Sequence, residues 1–206
     1  MKYKVNEIFK SIQGEGFHTG TAMTFVRLAG CNLDCIFCDT NHEEIYQVPP
    51  AELYAQIKKM GLKNVCITGG EPFQQDLTPL LRKLVQGKFN VHIETNGTLF
   101  SKETRSAEWS RIWITCSPKL PAHLERALKW ADEIKILISE RNNVILDKLL
   151  SLPEPGGIVK NNIYLQPIWV VDTFSNELNT KRAVKYVMDN PNLKLGIQMH
   201  KYLGIQ

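Results

Sequence analysis

The 206-residue sequence contains no apolar run long enough to cross a bilayer, no low-complexity segment and no internal repeat. Its first residues, MKYKVNEIFKSIQGEG, lack the apolar stretch and the small-residue cleavage site of a secretory signal. The 25 basic and 21 acidic residues form no basic block, which argues against a nucleic-acid partner. We therefore expect a cytoplasmic protein with no membrane partner, folded as a single domain over residues 1–206.

Short apolar runs alternate along the chain with helical patterns, which predicts βα units around a mainly parallel sheet. The predicted strands are residues 22–28, 64–68, 91–95, 111–115, 133–137, 163–167 and 195–199. The predicted helices are residues 50–60, 77–86, 122–131 and 180–189. About six βα units are too few for a closed eightfold barrel, so we expect an α/β fold with an open, partial TIM-like barrel. LPEPGG, at residues 152–157, is typical of a surface turn.

Three of the five cysteines lie within eight residues, namely Cys31, Cys35 and Cys38. Their C-x3-C-x2-C spacing is unlike a disulfide framework and indicates a metal site. Three thiolates on a short loop would leave one iron of an iron–sulfur cluster open to a ligand. A zinc site is the alternative, but structural zinc takes four ligands and His42 is the only nearby fourth donor. Cys66 and Cys116 stand apart in apolar runs, so we expect them to be buried.

Polar clusters follow four of the predicted strands. The cysteines come after residues 22–28, and the others are residues 68–71, 94–96 and 117–119. In parallel α/β proteins, ligands bind beyond the carboxyl ends of the strands. We therefore expect these four clusters to meet at one mouth of the partial barrel.

The cysteine spacing, the aromatic Phe37 before its last cysteine and the GGEP run at residues 69–72 resemble the radical S-adenosylmethionine superfamily. The resemblance implies a 4Fe–4S cluster whose open iron is chelated by S-adenosyl-L-methionine. Reductive cleavage of that cofactor gives a 5′-deoxyadenosyl radical, which abstracts a hydrogen atom from the substrate.

Within that superfamily, essentially the whole chain is similar to the 7-carboxy-7-deazaguanine synthase family. The resemblance is carried by QGEG at residues 13–16, CDT at 38–40, ETNGT at 94–98, SPK at 117–119 and Q-x-H-K at 198–201. It implies conversion of 6-carboxy-5,6,7,8-tetrahydropterin to 7-carboxy-7-deazaguanine with loss of ammonia, on the way to queuosine. It also implies a flavodoxin- or ferredoxin-like electron donor and a homodimer.

The same resemblance assigns site residues. The 4Fe–4S ligands would be Cys31, Cys35 and Cys38. The S-adenosyl-L-methionine site would include Phe37, Asp39, Gly70, Ser117, Pro118 and Lys119, with Glu94 and Asn96 near the ribose. The pterin substrate would contact Ile12, Gln13, Gly14, Glu15, Arg27, Thr68, His200 and Gln206. A magnesium ion would bind Thr40.

Several of these residues also have an ordinary structural interpretation. Glu94 and Asn96 are typical of turn chemistry at a strand end. Arg27 suits a carboxylate because its planar fork can donate two parallel hydrogen bonds, but a surface ion pair is the alternative. His200 near the chain end is equally consistent with contact to solvent alone, and Thr40 with a turn or helix cap.

Two other classes of protein stay open from the sequence. A glycyl-radical-enzyme activating enzyme shares the cysteine spacing and the short chain but acts on a protein backbone, so activity on the free pterin would separate the two. A zinc-binding interaction module is the non-enzyme alternative. Iron with sulfide would support the radical enzyme, and zinc without sulfide would support the module.

Overall fold

The computed structural model of the chain describes residues 1–99, 111–140, 143–152 and 162–206. The strands within these residues are β1 (Tyr3–Ile12), β2 (Ala22–Leu28), β3 (Tyr46–Val48), β4 (Asn64–Gly69), β5 (Asn90–Thr95), β6 (Trp113–Cys116), β7 (Glu133–Ile138), β8 (Ile163–Pro167) and β9 (Lys194–Leu195). The α-helices are α1 (Pro50–Lys59), α2 (Thr78–Gln86), α3 (Leu124–Trp130), α4 (Val144–Ser151), α5 (Thr173–Asp189) and α6 (Met199–Leu203).

All of these strands belong to one sheet, in the order β3, β1, β2, β4, β5, β6, β7, β8, β9. The strands from β2 to β9 are parallel, whereas β1 is antiparallel to both β2 and β3. Because β3 and β9 lie at opposite ends of this order, the sheet is open. The expected α/β fold with an open, partial barrel is confirmed.

The main core lies between the sheet and the helices that cover one of its faces. Leu53 and Ile57 on α1 are fully buried there, as are Ile67, Ile93 and Ile114 on successive parallel strands. Burying such side chains stabilises a fold by roughly 1.5–3 kcal/mol each relative to leaving them in water. The opposite face of the sheet is thereby left to line the inside of the partial barrel.

A smaller apolar cluster of Met23, Phe25 and Cys66 packs with Phe9 on this inner face. Cys66 and Cys116 are both fully buried, as the sequence predicts. Burial raises the pKa of the Cys116 thiol to about 12 and that of Cys66 well above its ordinary value. Burial therefore favours the neutral thiol at both positions.

The predicted strands 22–28, 64–68, 91–95, 133–137 and 163–167 match the observed ones to within one residue at either end. Residues 111–115 shift to Trp113–Cys116. The predicted strand 195–199 is wrong: only Lys194–Leu195 is extended, and α6 begins at Met199. The helix expected at 180–189 begins earlier, at Thr173, because the Asp172 carboxylate caps it by accepting from the backbone N–H of Phe174 and Ser175.

Two strands, β1 and β3, have no counterpart in the sequence prediction. Beyond Leu152, the expected turn at residues 152–157 lies outside the described residues. In the part of the chain that the structure describes, no helix combines the length and apolarity needed to cross a membrane.

Candidate active site

A cavity of about 620 Å³ opens at the carboxyl ends of the parallel strands. Its lining includes each site residue predicted from the sequence, with the single exception of Pro118. Pro118 is buried between Ser117 and Lys119, which both line the cavity. The expected meeting of the four polar clusters at one mouth is thus confirmed, while the roles of the individual residues stay predictions.

The cysteine loop follows β2 and contains no helix or strand from Ala29 to Ile45. Cys31, Cys35 and Cys38 are all free thiols and all line the cavity. Between the second and third, the Cys38 N–H donates to the Cys35 carbonyl oxygen at 2.9 Å, which forms a tight turn. The loop is closed at its base by Gly30, whose N–H donates to the His42 carbonyl oxygen at 2.8 Å. His42 thus closes the loop through its backbone carbonyl oxygen.

The surroundings of these thiols suit an iron–sulfur cluster. Asn96 Nδ2 lies 3.9 Å from Cys31 Sγ as a hydrogen-bond donor, and donors to sulfur tune such clusters. The Lys119 ammonium lies 5.8 Å from the centre of the Phe37 ring. Burial raises the pKa of the Cys35 thiol, and Lys119 acts in the opposite direction by favouring the thiolate. Burial also lowers the pKa of Lys119 itself.

Zinc and a 4Fe–4S cluster make different demands on the three thiols. Among the described residues, no three His, Cys, Asp or Glu side chains are arranged to surround a single metal ion. Structural zinc requires four such ligands at one point. In a 4Fe–4S cluster each thiolate binds a different iron, so the thiols need not converge on one point. The placement of the three cysteines is thus compatible with a 4Fe–4S cluster.

The GGEP run packs the end of β4 against the cysteine loop. A Cβ on Gly70 would lie 2.6 Å from the Gly30 carbonyl carbon and 2.7 Å from Cys31 Cβ, so only glycine permits this approach. The buried carboxylate of Glu71 accepts from the N–H of Asn96 at 2.7 Å and from the hydroxyl of Thr95 at 2.8 Å. Glu71 thereby ties the end of β4 to the end of β5, and burial raises its pKa. The sequence did not indicate this role for Glu71.

Ser117 and Asn96 each form local hydrogen bonds. The Ser117 N–H donates to the Thr95 carbonyl oxygen, and Lys119 Nζ donates to Ser117 Oγ, both at 2.8 Å. Asn96 Oδ1 accepts from the Thr98 N–H at 2.9 Å, which is the side-chain turn anticipated as the structural alternative for this residue. Its Nδ2 donates to Asn32 Oδ1 at 3.1 Å, so Asn96 also holds the cysteine loop.

Glu94 groups with residues of the predicted substrate site. Its carboxylate accepts from Gln13 Nε2 at 3.0 Å and from Thr68 Oγ1 at 3.3 Å. The backbone of Gln13, just after Ile12 ends β1, is used in the turn, because its N–H and its carbonyl oxygen bond Thr21 and Gly20 at 2.8 Å. Only the Gln13 side chain therefore remains for contacts inside the cavity.

The C-terminal segment lies across the mouth of the cavity. The Met199 N–H donates to the Gly14 carbonyl oxygen at 2.9 Å, and a Cβ on Gly14 would overlap the His200 ring. Gln206 hydrogen-bonds Ser11 through its carbonyl oxygen and Glu7 through its side chain. His200 is half-buried and burial lowers its pKa, so the interpretation that it touches only solvent is wrong.

Arg27 lines the cavity and also forms the ion pair that was its structural alternative. Its Nε lies 2.7 Å from Glu7 Oε1, and its guanidinium stacks 5.6 Å from the centre of the Phe9 ring. Among the described residues, Glu7 is its only ion-pair partner. The two terminal nitrogens are therefore the part of the fork left for a ligand.

Asp39 and Thr40 directly follow Cys38 in the cysteine loop and line the cavity. Thr40 Oγ1 lies 3.5 Å from Asp39 Oδ1, and the other Asp39 oxygen pairs with Lys201 Nζ at 2.7 Å. Magnesium prefers six oxygen ligands, and this corner of the protein offers one hydroxyl beside an engaged carboxylate. The residues fit magnesium only where water and substrate oxygens supply the other ligands.

The cavity residues that were not assigned to the site from the sequence include Lys135 and Gln198. Lys135 bonds one carboxylate oxygen of Glu15, and Gln198 Nε2 donates to the other at 2.9 Å. Burial is the largest single influence on Glu15 and opposes its ionisation, but Lys135, the Gln198 hydrogen bond and His200 together lower the Glu15 pKa to about 2. Burial likewise acts against the Lys135 charge, but Glu15 raises the Lys135 pKa above its ordinary value. The available signal was a lysine within the apolar run EIKILI.

Comparison with known proteins identifies the class of enzyme. Residues 25–112, which contain the cysteine loop and the GGEP run, match the family model of the Radical SAM superfamily. With the open βα sheet and the free thiols at its mouth, this match defines a radical S-adenosylmethionine enzyme. Membership of this class implies a 4Fe–4S cluster and S-adenosyl-L-methionine as cofactors.

Full-length relatives define the family more narrowly. A 7-carboxy-7-deazaguanine synthase of Bacteroides thetaiotaomicron is 36% identical over 100% of both chains, and that of Escherichia coli K12 is 34% identical, also over 100% of both. The crystal structure of QueE from Escherichia coli superposes with a TM-score of 0.74 at 30% identity, covering 97% of this chain and 95% of that one. The chain belongs to the 7-carboxy-7-deazaguanine synthase family.

Proposed function

We propose that this enzyme converts 6-carboxy-5,6,7,8-tetrahydropterin to 7-carboxy-7-deazaguanine with loss of ammonia, on the way to queuosine. The observation that carries the proposal is that one cavity is lined both by the three free cysteines and by the polar side chains expected to hold a pterin. Its volume of about 620 Å³ is within the usual range for sites that hold a small ligand and cofactor.

The cofactor half of the cavity lies at the cysteine loop. Cys31, Cys35 and Cys38 would hold the 4Fe–4S cluster, while Phe37, Asp39, Gly70 and residues 117–119 would border S-adenosyl-L-methionine. When bound, these groups supply a one-electron cleavage that gives a carbon radical able to abstract hydrogen. The protein's part is to fix the loop, through the close packing of Gly70 on Gly30 and the hydrogen bonds of Asn96.

The substrate half lies toward β1, β2 and the C-terminal segment. The terminal nitrogens of Arg27 would donate two parallel hydrogen bonds to the substrate carboxylate. Glu94 was expected from the sequence near the ribose of S-adenosyl-L-methionine. Because Gln13 and Thr68 hold its carboxylate, we assign it instead as an acceptor for the N–H groups of the substrate ring. Ile12, Gly14, His200 and Gln206 would close the cavity around the ligand, supported by the contact of His200 with Gly14. Excluding water from this space strengthens each of these polar contacts.

Thr40 would bind a magnesium ion whose remaining ligands come from water and from the substrate. Such an ion would orient the substrate against the loop that holds the cluster. The position of Thr40 in that loop and in the cavity lining supports this assignment.

The proposal also includes a single domain over residues 1–206, a cytoplasmic location, a homodimer and a flavodoxin- or ferredoxin-like electron donor. Ile36 is fully exposed between two of the cysteines, so a reductant could approach close to the cluster at this point. The single sheet that runs from β3 to β9 supports the one-domain description.

The direct test is anaerobic incubation of the reconstituted protein with reductant, S-adenosyl-L-methionine, magnesium and the carboxytetrahydropterin. We expect 7-carboxy-7-deazaguanine and ammonia in equal amounts, identified by mass and by ammonia assay. Cys35→Ala is the control that should form neither. Cofactor cleavage by the wild type without any deazaguanine would contradict the proposed substrate but not the class of enzyme.

A further inference from the structure

Lys135 lies in the middle of β7 and points into the cavity with its side chain only 9% exposed. Its ammonium bonds one carboxylate oxygen of Glu15. An ammonium carries three N–H donors, and among the described residues Glu15 is its only hydrogen-bond acceptor. Two donors of a buried charge are therefore left for a ligand in the cavity.

In contrast to Lys135, Glu15 already uses its polar atoms in hydrogen bonds within the protein. One oxygen accepts from Lys135 and the other accepts from Gln198 Nε2 at 2.9 Å. Its backbone N–H donates to Gln13 Oε1 at 3.2 Å. This arrangement favours a positioning role for Glu15, acting through Lys135, over direct contact with the ring.

The charges around Lys135 determine what kind of ligand atom it can accept. Three carboxyl groups act on its charge, those of Glu15, Glu94 and Glu133. A second anion brought to this point would be repelled by these acids, whereas a neutral carbonyl oxygen would not. Arg27, in contrast, lies on β2, which is separated from β7 by three strands in the sheet order, and has one acidic partner. Of these two cations, Arg27 therefore suits the carboxylate of a ligand and Lys135 suits its carbonyl oxygen.

We propose that Lys135 donates a hydrogen bond to the ring carbonyl of the substrate, that this contact distinguishes an oxo from an amino group at that position, and that Glu15 positions the Lys135 ammonium. The inference rests on the proposed function, since it concerns the ring of the same pterin. An amino group there would place donor against donor and leave the remaining N–H groups of the buried ammonium without an acceptor. Sites that hydrogen-bond a particular group reject analogues without it strongly.

The test compares two stable ligands, 6-carboxypterin and its 4-amino analogue, by anaerobic calorimetric titration of the reconstituted enzyme. Wild type should prefer the oxo ligand at least tenfold. Lys135→Met should weaken binding of the oxo ligand roughly tenfold to a hundredfold, the usual range for a lost hydrogen bond to a charged group, and should abolish the preference. Lys185→Met, at an exposed lysine paired with Asp189 on α5, is the matched control and should keep the preference.

A second pair of variants keeps the test valid if Lys135→Met is unstable because Glu15 is left buried and unpaired. The double variant Glu15→Gln/Lys135→Met removes both charges and should also show no preference for the oxo ligand. Glu15→Gln alone should raise KM for the carboxytetrahydropterin more than it lowers kcat, because it displaces the Lys135 ammonium that binds the ring carbonyl.

The possible failures are distinguishable. A wild type that binds carboxypterin but forms no deazaguanine contradicts the proposed function. If the wild type forms the product and the double variant still prefers the oxo ligand, the proposed role of Lys135 is wrong while the proposed function stands. An unchanged KM in Glu15→Gln overturns the positioning role of Glu15.

Discussion

Lys201 on α6 forms an ion pair with Asp39 in the cysteine loop, with Lys201 Nζ 2.7 Å from Asp39 Oδ2. The same C-terminal segment bonds Gly14 through the Met199 N–H and Glu15 through Gln198. The end of the chain is therefore tied both to the loop expected to hold the cluster and to the turn that follows β1. These contacts place the C-terminal segment over both halves of the cavity.

Lys201→Met should loosen this segment without a large effect on global stability. The two side chains are 28% and 44% exposed, and such ion pairs contribute about 0–1 kcal/mol to the free energy of unfolding. We expect faster hydrogen–deuterium exchange at residues 198–206, with a change in melting temperature no larger than that of the exposed control Lys181→Met. Exchange at wild-type rates would show that the ion pair does not hold the segment.

Replacing any one of Cys31, Cys35 or Cys38 by alanine should abolish both the cluster and the cleavage of S-adenosyl-L-methionine. Cys66→Ala and Cys116→Ala should retain both, because these thiols are fully buried and neither lines the cavity. Iron and sulfide analysis of anaerobically reconstituted protein, together with assay of 5′-deoxyadenosine, measures both effects. Full activity in Cys35→Ala would falsify the assignment.

The strands that the sequence predicts well are those whose apolar side chains pack against the helices in the main core. β4 and β8 are compact apolar runs between turn signals, and most of their residues are buried. β1, in contrast, pairs antiparallel with its neighbours, and its sequence YKVNEIFKSI is mostly half-buried and interspersed with charge. Its apolar content alone therefore did not distinguish it from a polar N-terminal segment.

The C-terminal error has a similar cause. Residues 195–199 are apolar enough for a strand, yet Leu195 and Ile197 are substantially exposed, and β9 pairs with β8 at only two residues. Short apolar runs do not separate a strand from the approach to a helix. The missed ion pair has another cause, because Glu15 and Lys135 are 120 residues apart and meet only when β7 is placed beside the first turn.

Glu133 should make the stability of the protein depend on pH. Burial raises its pKa from 4.5 to about 7, so the folded protein favours the protonated carboxyl. Below the unfolded pKa of 4.5 the carboxyl is protonated in both the folded and the unfolded state, so folding does not have to bury its charge. This stability is lost as the pH rises through the folded pKa of about 7. Between these limits the wild type should lose on the order of 3 kcal/mol of unfolding free energy from this group.

Glu133→Gln should remove this loss while keeping an acceptor for the Phe17 N–H, which now donates to Glu133 at 2.9 Å. Urea unfolding of the wild type and the variant at pH 5 and pH 8 measures the difference. The variant should gain on the wild type as the pH rises, whereas Glu177→Gln, on the exposed face of α5, should not. Parallel pH profiles for Glu133→Gln and wild type would contradict the raised pKa.

Magnesium should raise turnover of the wild type, and Thr40→Ala should weaken that response without loss of iron. The hydroxyl is the ligand at issue, so Thr40→Ser should keep most of the response. Thr180→Ala removes a hydroxyl that bonds the Asn176 carbonyl oxygen within α5 and is the control. A magnesium titration of product formation measures all four proteins. The same response in Thr40→Ala and wild type would return Thr40 to the role of a turn residue.

Arg27 tests the substrate as well as the class of enzyme. Glu7 engages its Nε at 2.7 Å, so the terminal nitrogens can face a carboxylate in the cavity. If they donate two parallel hydrogen bonds, lysine should replace arginine poorly because it is a point charge without the fork. Arg27→Ala should weaken productive binding by at least roughly tenfold, because the carboxylate is then left without its partner. Arg182→Lys on α5, whose side chain bonds carbonyl oxygens outside the cavity, is the control.

The decisive comparison is between product formation and cofactor cleavage in the same variants. The cluster should be untouched in Arg27→Ala and Arg27→Lys, because Arg27 contacts Glu7 and Phe9 and not the cysteine loop. Slow cleavage of S-adenosyl-L-methionine without substrate should therefore continue at the wild-type rate while deazaguanine formation falls sharply. We would measure both across a range of carboxytetrahydropterin concentrations. Near-normal turnover and KM in Arg27→Lys would reduce Arg27 to a general positive charge, and near-normal values in Arg27→Ala would remove it from the site.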